Sequence, residues 1–132
     1  MSFLLDTNIC SAHMRRPAGL FHRFVQHSGR LAISVITLAE LRVWAYGSAN
    51  PPKVTGEIEK LLMDVSIIEF DGNCADRFGQ LKAGLLKCGI AVPPMDLLIA
   101  TTALAHDLTL VTHNVADFAK IPDLRVVDWL AS

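Results

Sequence analysis

Short apolar runs alternate with helical patterns along the chain, and that alternation restricts the fold more than any other feature. The first run, Phe3-Leu4-Leu5, passes without a polar break into Asp6. Continuous apolar runs of this length suit strands buried on both faces. Similar runs at 31–35, 65–70, 108–112 and 125–127 predict four more strands. Between them the apolar residues recur at helical spacing. Thr7 or Asn8 can cap a helix to Met14, which the segment 15–19 breaks, and Leu20, Phe21, Phe24 and Val25 predict a second helix. Thr37 and Glu40 have the spacing of a capping box and predict a third helix starting near Thr37. Gly47 to Pro52 reads as loop, and a fourth helix follows with Ile58, Leu61 and Leu62 inward. A fifth runs over 73–88 and stops at Gly89. A sixth, apolar almost all round, carries Leu97, Leu98, Ile99, Ala100, Ala103 and Leu104 and should be buried. A short turn or helix is expected over 114–120. Strands joined through helices imply an α/β fold, a mostly parallel sheet covered on both faces.

At 132 residues the chain suits one domain, taken as 1–132. Its net charge of −1 argues against a strongly basic coat for nucleic acid and leaves room for a local basic rim. Cys10, Cys74 and Cys88 are an odd number with no Cys-x-x-Cys pair, which fits reduced thiols packed as small apolar residues. No signal-peptide pattern and no membrane-length apolar run is present, so a soluble, cytoplasmic protein with no membrane partner is expected.

Asp6 ends the first strand, Glu40 falls early in the helix after the second, Asp96 in the first turn of helix six, and Asp117 just after the fourth strand. All four are thus predicted on one edge of the sheet, where open α/β sheets hold ligands. Singly, Glu40 reads as half of a capping box, Asp96 as an acid favoured by a helix dipole, and Asp117 as a turn cap. Asp6 is harder to explain that way, because a carboxylate ending a buried strand seldom lacks a partner. Facing carboxylates repel unless a cation joins them, and an all-oxygen set selects hard ions such as Mg²⁺ or Mn²⁺.

These residues resemble a known family. Leu4-Leu5-Asp6-Thr7-Asn8, Ser34-Val35-Ile36-Thr37-Leu38-Ala39-Glu40-Leu41, Asp96-Leu97-Leu98-Ile99-Ala100 after Gly89-Ile90, and Leu110-Val111-Thr112-His113-Asn114 with Asp117-Phe118 are similar to the four acidic blocks of PIN-domain ribonucleases, specifically VapC-type toxins of type II toxin–antitoxin (VapBC) pairs. The ending Leu124-Arg125-Val126-Val127-Asp128-Trp129 is also family-like. The likeness spans nearly the whole chain in order. It implies a PIN-like three-layer sandwich with strand order 3-2-1-4-5, Mg²⁺-dependent endoribonuclease activity, a homodimer, and neutralisation by a cognate antitoxin that is a small DNA-binding protein. Met95 is bulkier than the pattern suggests, and His106 stands where a small or polar residue is usual.

On this reading Asp6, Asp96 and Asp117 hold Mg²⁺ (Mn²⁺ able to substitute) and Glu40 completes the shell or orients water. Thr7, Asn8, Thr112 and Asn114 support the carboxylates, or merely cap and turn the chain. Arg15, Arg16 and Arg42 are candidates for RNA phosphates, although solvated surface charge is the commoner fate. His113 reads as a surface loop residue. Gly84 to Gly89 lacks the lysine of a P-loop. Leu20, Phe21, Phe24 and Trp44 are candidate apolar surface for a dimer or an antitoxin segment. The rival readings are a receiver-like phosphoacceptor and a catalytically inactive PIN-like module that binds RNA or protein.

Overall fold

The computed structural model describes residues 2–131. The strands are β1 (Phe3–Leu5), β2 (Leu31–Ser34), β3 (Ser66–Ile68), β4 (Thr109–Val111) and β5 (Val126–Val127). They form one parallel sheet of order β3-β2-β1-β4-β5. The order matches the three-layer expectation and departs from the 2-1-3-4-5 order of receiver-like sheets. The chain crosses from β1 outward to β2 and β3, then returns to lay β4 on the other side of β1. The crevice opens where the order reverses, between β1 and β4.

Period-two alternation divides the apolar residues between two cores. Phe3, Leu5, Leu31, Ile33 and Val111 face one side, under α1 (Thr7–Arg15), α2 (Pro17–Gln26), α3 (Val35–Gly47) and α4 (Pro51–Leu62). Leu4, Ala32 and Leu110 face the other, under α5 (Gly72–Lys87), α6 (Pro94–Ala105) and the short α7 (Val115–Phe118). Leu4, Leu5, Leu110 and Val111 are fully enclosed, which is why the middle of the central sheet is apolar and its polar residues, Thr109 and Thr112 in β4's run and Asp6 after β1, lie at strand ends.

Several helix starts differ from the sequence reading. α3 begins at Val35, because the Ser34 hydroxyl accepts the Ile36 N–H at 3.0 Å and caps it. Thr37 is therefore an interior, buried residue, and Thr37 and Glu40 form no capping box. α2 begins at Pro17, whose fixed φ suits the first helical turn, so Arg16 alone separates α1 from α2. Asn50 caps α4, and the expected loop at 47–52 shrinks accordingly. Leu20 and Phe24 lie inside the core rather than at the surface, and Trp44 is partly buried; of that group Phe21 alone is exposed. Cys10 and Cys74 are buried free thiols, whereas Cys88 is exposed.

α5 ends as the glycine predicted. Gly89 has φ +68°, its N–H bonds Leu86 O at 3.1 Å, and the Ile90 N–H bonds Leu85 O at 2.9 Å, a Schellman pair. A side chain at that φ costs about 1–2 kcal/mol. Gly79 lies in the same helix with open space around its Cβ direction. We expect Gly89→Ala to destabilise the fold by about 1 kcal/mol and Gly79→Ala to stabilise it by up to about 1 kcal/mol. Urea unfolding of the two variants checks the opposite signs.

Candidate active site

Asp6 is both the last residue of the β1 run and the cap of α1. Its N–H bonds Val111 O at 2.9 Å, which continues the sheet, while its Oδ1 accepts the Thr7 N–H at 2.8 Å. Oδ2 accepts the Thr112 hydroxyl at 2.8 Å and the Asn8 side-chain amide at 3.4 Å. Asp6, and not Thr7 or Asn8, is thus the cap. Only 4% of it is exposed, and burial raises its carboxyl pKa despite the bonds from Thr112 and Thr7, with the nearby Glu40 adding to the rise.

Glu40 lies in the second turn of α3, and its Oε1 accepts the Thr7 hydroxyl. That hydroxyl also meets the Thr37 hydroxyl at 3.3 Å. Thr37 is the supporting residue the sequence reading missed, because its pattern matched a cap. Asp96 is in the first turn of α6, and Asp117 in that of α7. Burial raises the Asp96 pKa, and the charges of Asp6, Asp117 and Glu40 raise it further, in that order. The fold therefore brings all four carboxylates within electrostatic reach at the β1–β4 crevice.

Thr112 and Asn8 hold the crevice wall. Asn8 Nδ2 donates to Thr112 Oγ1 at 3.3 Å, its Oδ1 accepts the His113 N–H at 3.1 Å, and Thr112 Oγ1 accepts the Asn114 N–H at 3.1 Å. Asn114 contributes through its backbone; its side chain makes no cap bond to α7. His113 is exposed, and its Nδ1 is 3.0 Å from Asp128 Oδ2, a further carboxylate just past β5. The arginine candidates separate. Arg42 faces Glu59 at 3.3 Å, while Arg15 bonds Ser11 and lies 5.8 Å from the Trp44 ring centroid. Arg15 and Arg16 line an open groove with Ala12, Gly19, Leu20 and Leu130.

Among the described residues, no ion pair includes Asp6, Glu40, Asp96 or Asp117. The buried Asp6 carboxylate lies close to Glu40 and Asp96, and Asp96 feels Asp117 as well; such a set with no paired cationic side chain fits a hard divalent cation as counter-charge. Among the described residues, no three of these acids bring oxygens within 4.8 Å of one another, so these side chains form no compact metal cage as they stand.

A β1–β4 crevice lined by acids from four elements is the arrangement of a PIN domain, and the PIN-domain family model matches residues 3–124. Curated relatives include the tRNA(fMet)-specific endonuclease VapC of Shigella flexneri, 35% identical over 98% of both chains. Ribonuclease VapC2 of Haemophilus influenzae is 34% identical over 98% of this chain and 99% of its own. Among solved structures, DNA-bound VapBC from Salmonella typhimurium superposes with a TM-score of 0.93 at 34% identity, covering 98% of each chain. VapBC2 from Rickettsia felis, bound to a promoter DNA fragment, gives 0.92 at 32% identity over 98% of this chain and 99% of its own. The chain belongs to the PIN-domain family and, within it, to the VapC ribonucleases.

The raised pKa values carry a stability consequence. With Asp6 and Asp96 raised, the fold binds protons more tightly than the unfolded chain does between the ordinary carboxylate range and the raised values. Their stabilising contribution is full below that window and is lost as pH rises through it. Asparagine caps helices about as well as aspartate. Without metal, Asp6→Asn should therefore melt higher than the parent at pH 7, with a flatter pH dependence, each kcal/mol being worth about 4 °C. Calorimetry under chelation checks this. A variant that melts lower would mean that its hydrogen bonds outweigh the burial of its charge.

Proposed function

We propose that the chain is an endoribonuclease toxin that hydrolyses RNA phosphodiester bonds at the β1–β4 crevice, in the cytoplasm, and is neutralised by a cognate VapB-like antitoxin. The observation that carries this reading is that Asp6, Glu40 and Asp117 all lie within electrostatic reach of Asp96 with no ion pair to a cationic side chain among the described residues. Asp6, Asp96 and Asp117 would hold Mg²⁺ or Mn²⁺, with Glu40 completing the shell or orienting a water. Such an ion neutralises charge on the attacked phosphoryl group and acidifies water. Thr112, Asn8 and Thr7 keep the Asp6 and Glu40 carboxylates aimed by donating hydrogen bonds to them. Arg15 and Arg16, exposed at the α1–α2 junction, would contact RNA phosphates. Relatives named as tRNA(fMet)-specific endonucleases support a structured RNA such as tRNA as the substrate class. Possession of the whole acidic set argues against a merely binding module. A homodimer accords with the exposed Phe21 and Tyr46.

Asp96→Asn keeps shape and removes charge. RNA cleavage by this variant should fall at least about a hundredfold, as for loss of one preorganised electrostatic group. Chelation should abolish cleavage by the parent, and added Mg²⁺ or Mn²⁺ should restore it. Undiminished cleavage by pure Asp96→Asn would remove the site assignment.

An acidic crevice can also be silenced without metal. A guanidinium stays charged and matches carboxylates with a planar fork, so an antitoxin arginine reaching Asp6, Asp96 or Asp117 would compete with Mg²⁺. By linkage, raising Mg²⁺ at constant ionic strength should then weaken antitoxin binding. Calorimetric titration reads the effect; affinity independent of Mg²⁺ would place the antitoxin outside the crevice.

A further inference from the structure

We propose that Asp71, Cys74 and His106 form a second metal site, for one Zn²⁺ ion per chain, clamping the start of α5 to the end of α6. Asp71 is the cap of α5, Cys74 lies in its first turn, and His106 is the cap residue at the end of α6. One ligand atom from each, sulfur, imidazole nitrogen and carboxylate oxygen, lies within 4.8 Å of the other two. Cys74 Sγ and His106 Nε2 are 3.8 Å apart. Tetrahedral zinc, with bonds of about 2.3 Å to sulfur and about 2.0 Å to nitrogen, separates such a pair by about 3.6 Å. Side-chain rotation of the exposed His106 supplies the difference.

The donor set decides the metal. Sulfur and imidazole select Zn²⁺ over Mg²⁺, the reverse of the all-oxygen crevice. Asp71 accepts the Cys74 N–H at 3.0 Å, and its carboxylate has lone pairs left for an ion. Those three ligands leave a fourth tetrahedral position for water, reached from the exposed side that Asp71 and His106 form. The cap bond of Asp71 and the contact of Cys74 with His106 hold the three groups together before any ion binds. Cys74 is fully buried, so it is poorly placed to attack a substrate. His106 is also one of the two positions, with Met95, at which the sequence departs from the family pattern. His106 follows Asp96 by ten residues along α6, so the clamp lies about 15 Å from the crevice at 1.5 Å per residue.

The test uses the full chain in an Asp6→Asn background, freed of metal by chelation and titrated with Co²⁺, a spectroscopic stand-in for Zn²⁺. We expect a near-ultraviolet thiolate-to-cobalt charge-transfer band that saturates at one ion per chain. Zn²⁺ should abolish it, and a large excess of Mg²⁺ should not. Cys74→Ser should lose the band, and Cys88→Ala should keep it. His106→Ala and Asp71→Asn should each weaken binding at least about tenfold, as even outer-shell losses do in metal sites. His106 is exposed, so its variant reports even if Cys74→Ser fails to fold. No band in the parent background, or an unchanged midpoint in His106→Ala, would overturn the site.

Discussion

The burial of the Asp6 carboxylate is the constraint on which the rest of the site depends. The same side chain caps α1, takes a hydroxyl from Thr112 across the sheet, and lies close to Glu40 and Asp96. Each hydrogen bond to a charged group contributes about 1.5–3 kcal/mol, yet burial still raises the Asp6 pKa. Neutral donors therefore stabilise the charge only in part. The remaining deficit is one that a bound cation would relieve, and the fold keeps it in place because moving Asp6 would also uncap α1. Structural and chemical roles sit on one residue and cannot be separated by small adjustments.

The sheet order makes this arrangement geometrically available. β1 is central, so the carboxyl ends of β1 and β4 lie side by side with no helix between them. α3, α6 and α7 then deliver Glu40, Asp96 and Asp117 from their early turns. At the starts of α6 and α7 the dipole favours the Asp96 and Asp117 carboxylates by about 0.3–1 kcal/mol each, too little to replace a counter-ion. Acids from four elements meet because each follows or faces the reversal point.

Much of this was legible in the sequence where one force dominates. Buried central strands must be largely apolar, so β1, β2 and β4 stood out despite Thr109, and the polar residue ending each run marked the edge. Gly89 was readable because a left-handed residue after a helix favours glycine. Legibility failed where two physical explanations share a pattern. Thr37 and Glu40 have capping-box spacing, yet Ser34 takes the cap and frees both side chains for Thr7. Leu20 and Phe24 resembled surplus apolar surface, because helical spacing shows a face without saying what covers it. Arg42 looked available until Glu59 was seen beside it. Cys74 and His106 are 32 residues apart with no metal-ligand spacing, so only the packing of α5 on α6 brings them together.

The central position of β1 also bears on synthesis. β1 is made long before β4, yet it pairs with it, and the hydroxyl held by Asp6 belongs to a residue 106 positions later. Contacts of such separation form late, since a long loop must close before they repay its entropy. A nascent chain lacking β4 has neither Thr112 nor Asp117 and so no assembled crevice. The acidic set comes together only once the chain has emerged past Asp117, so a shorter nascent chain carries no assembled crevice.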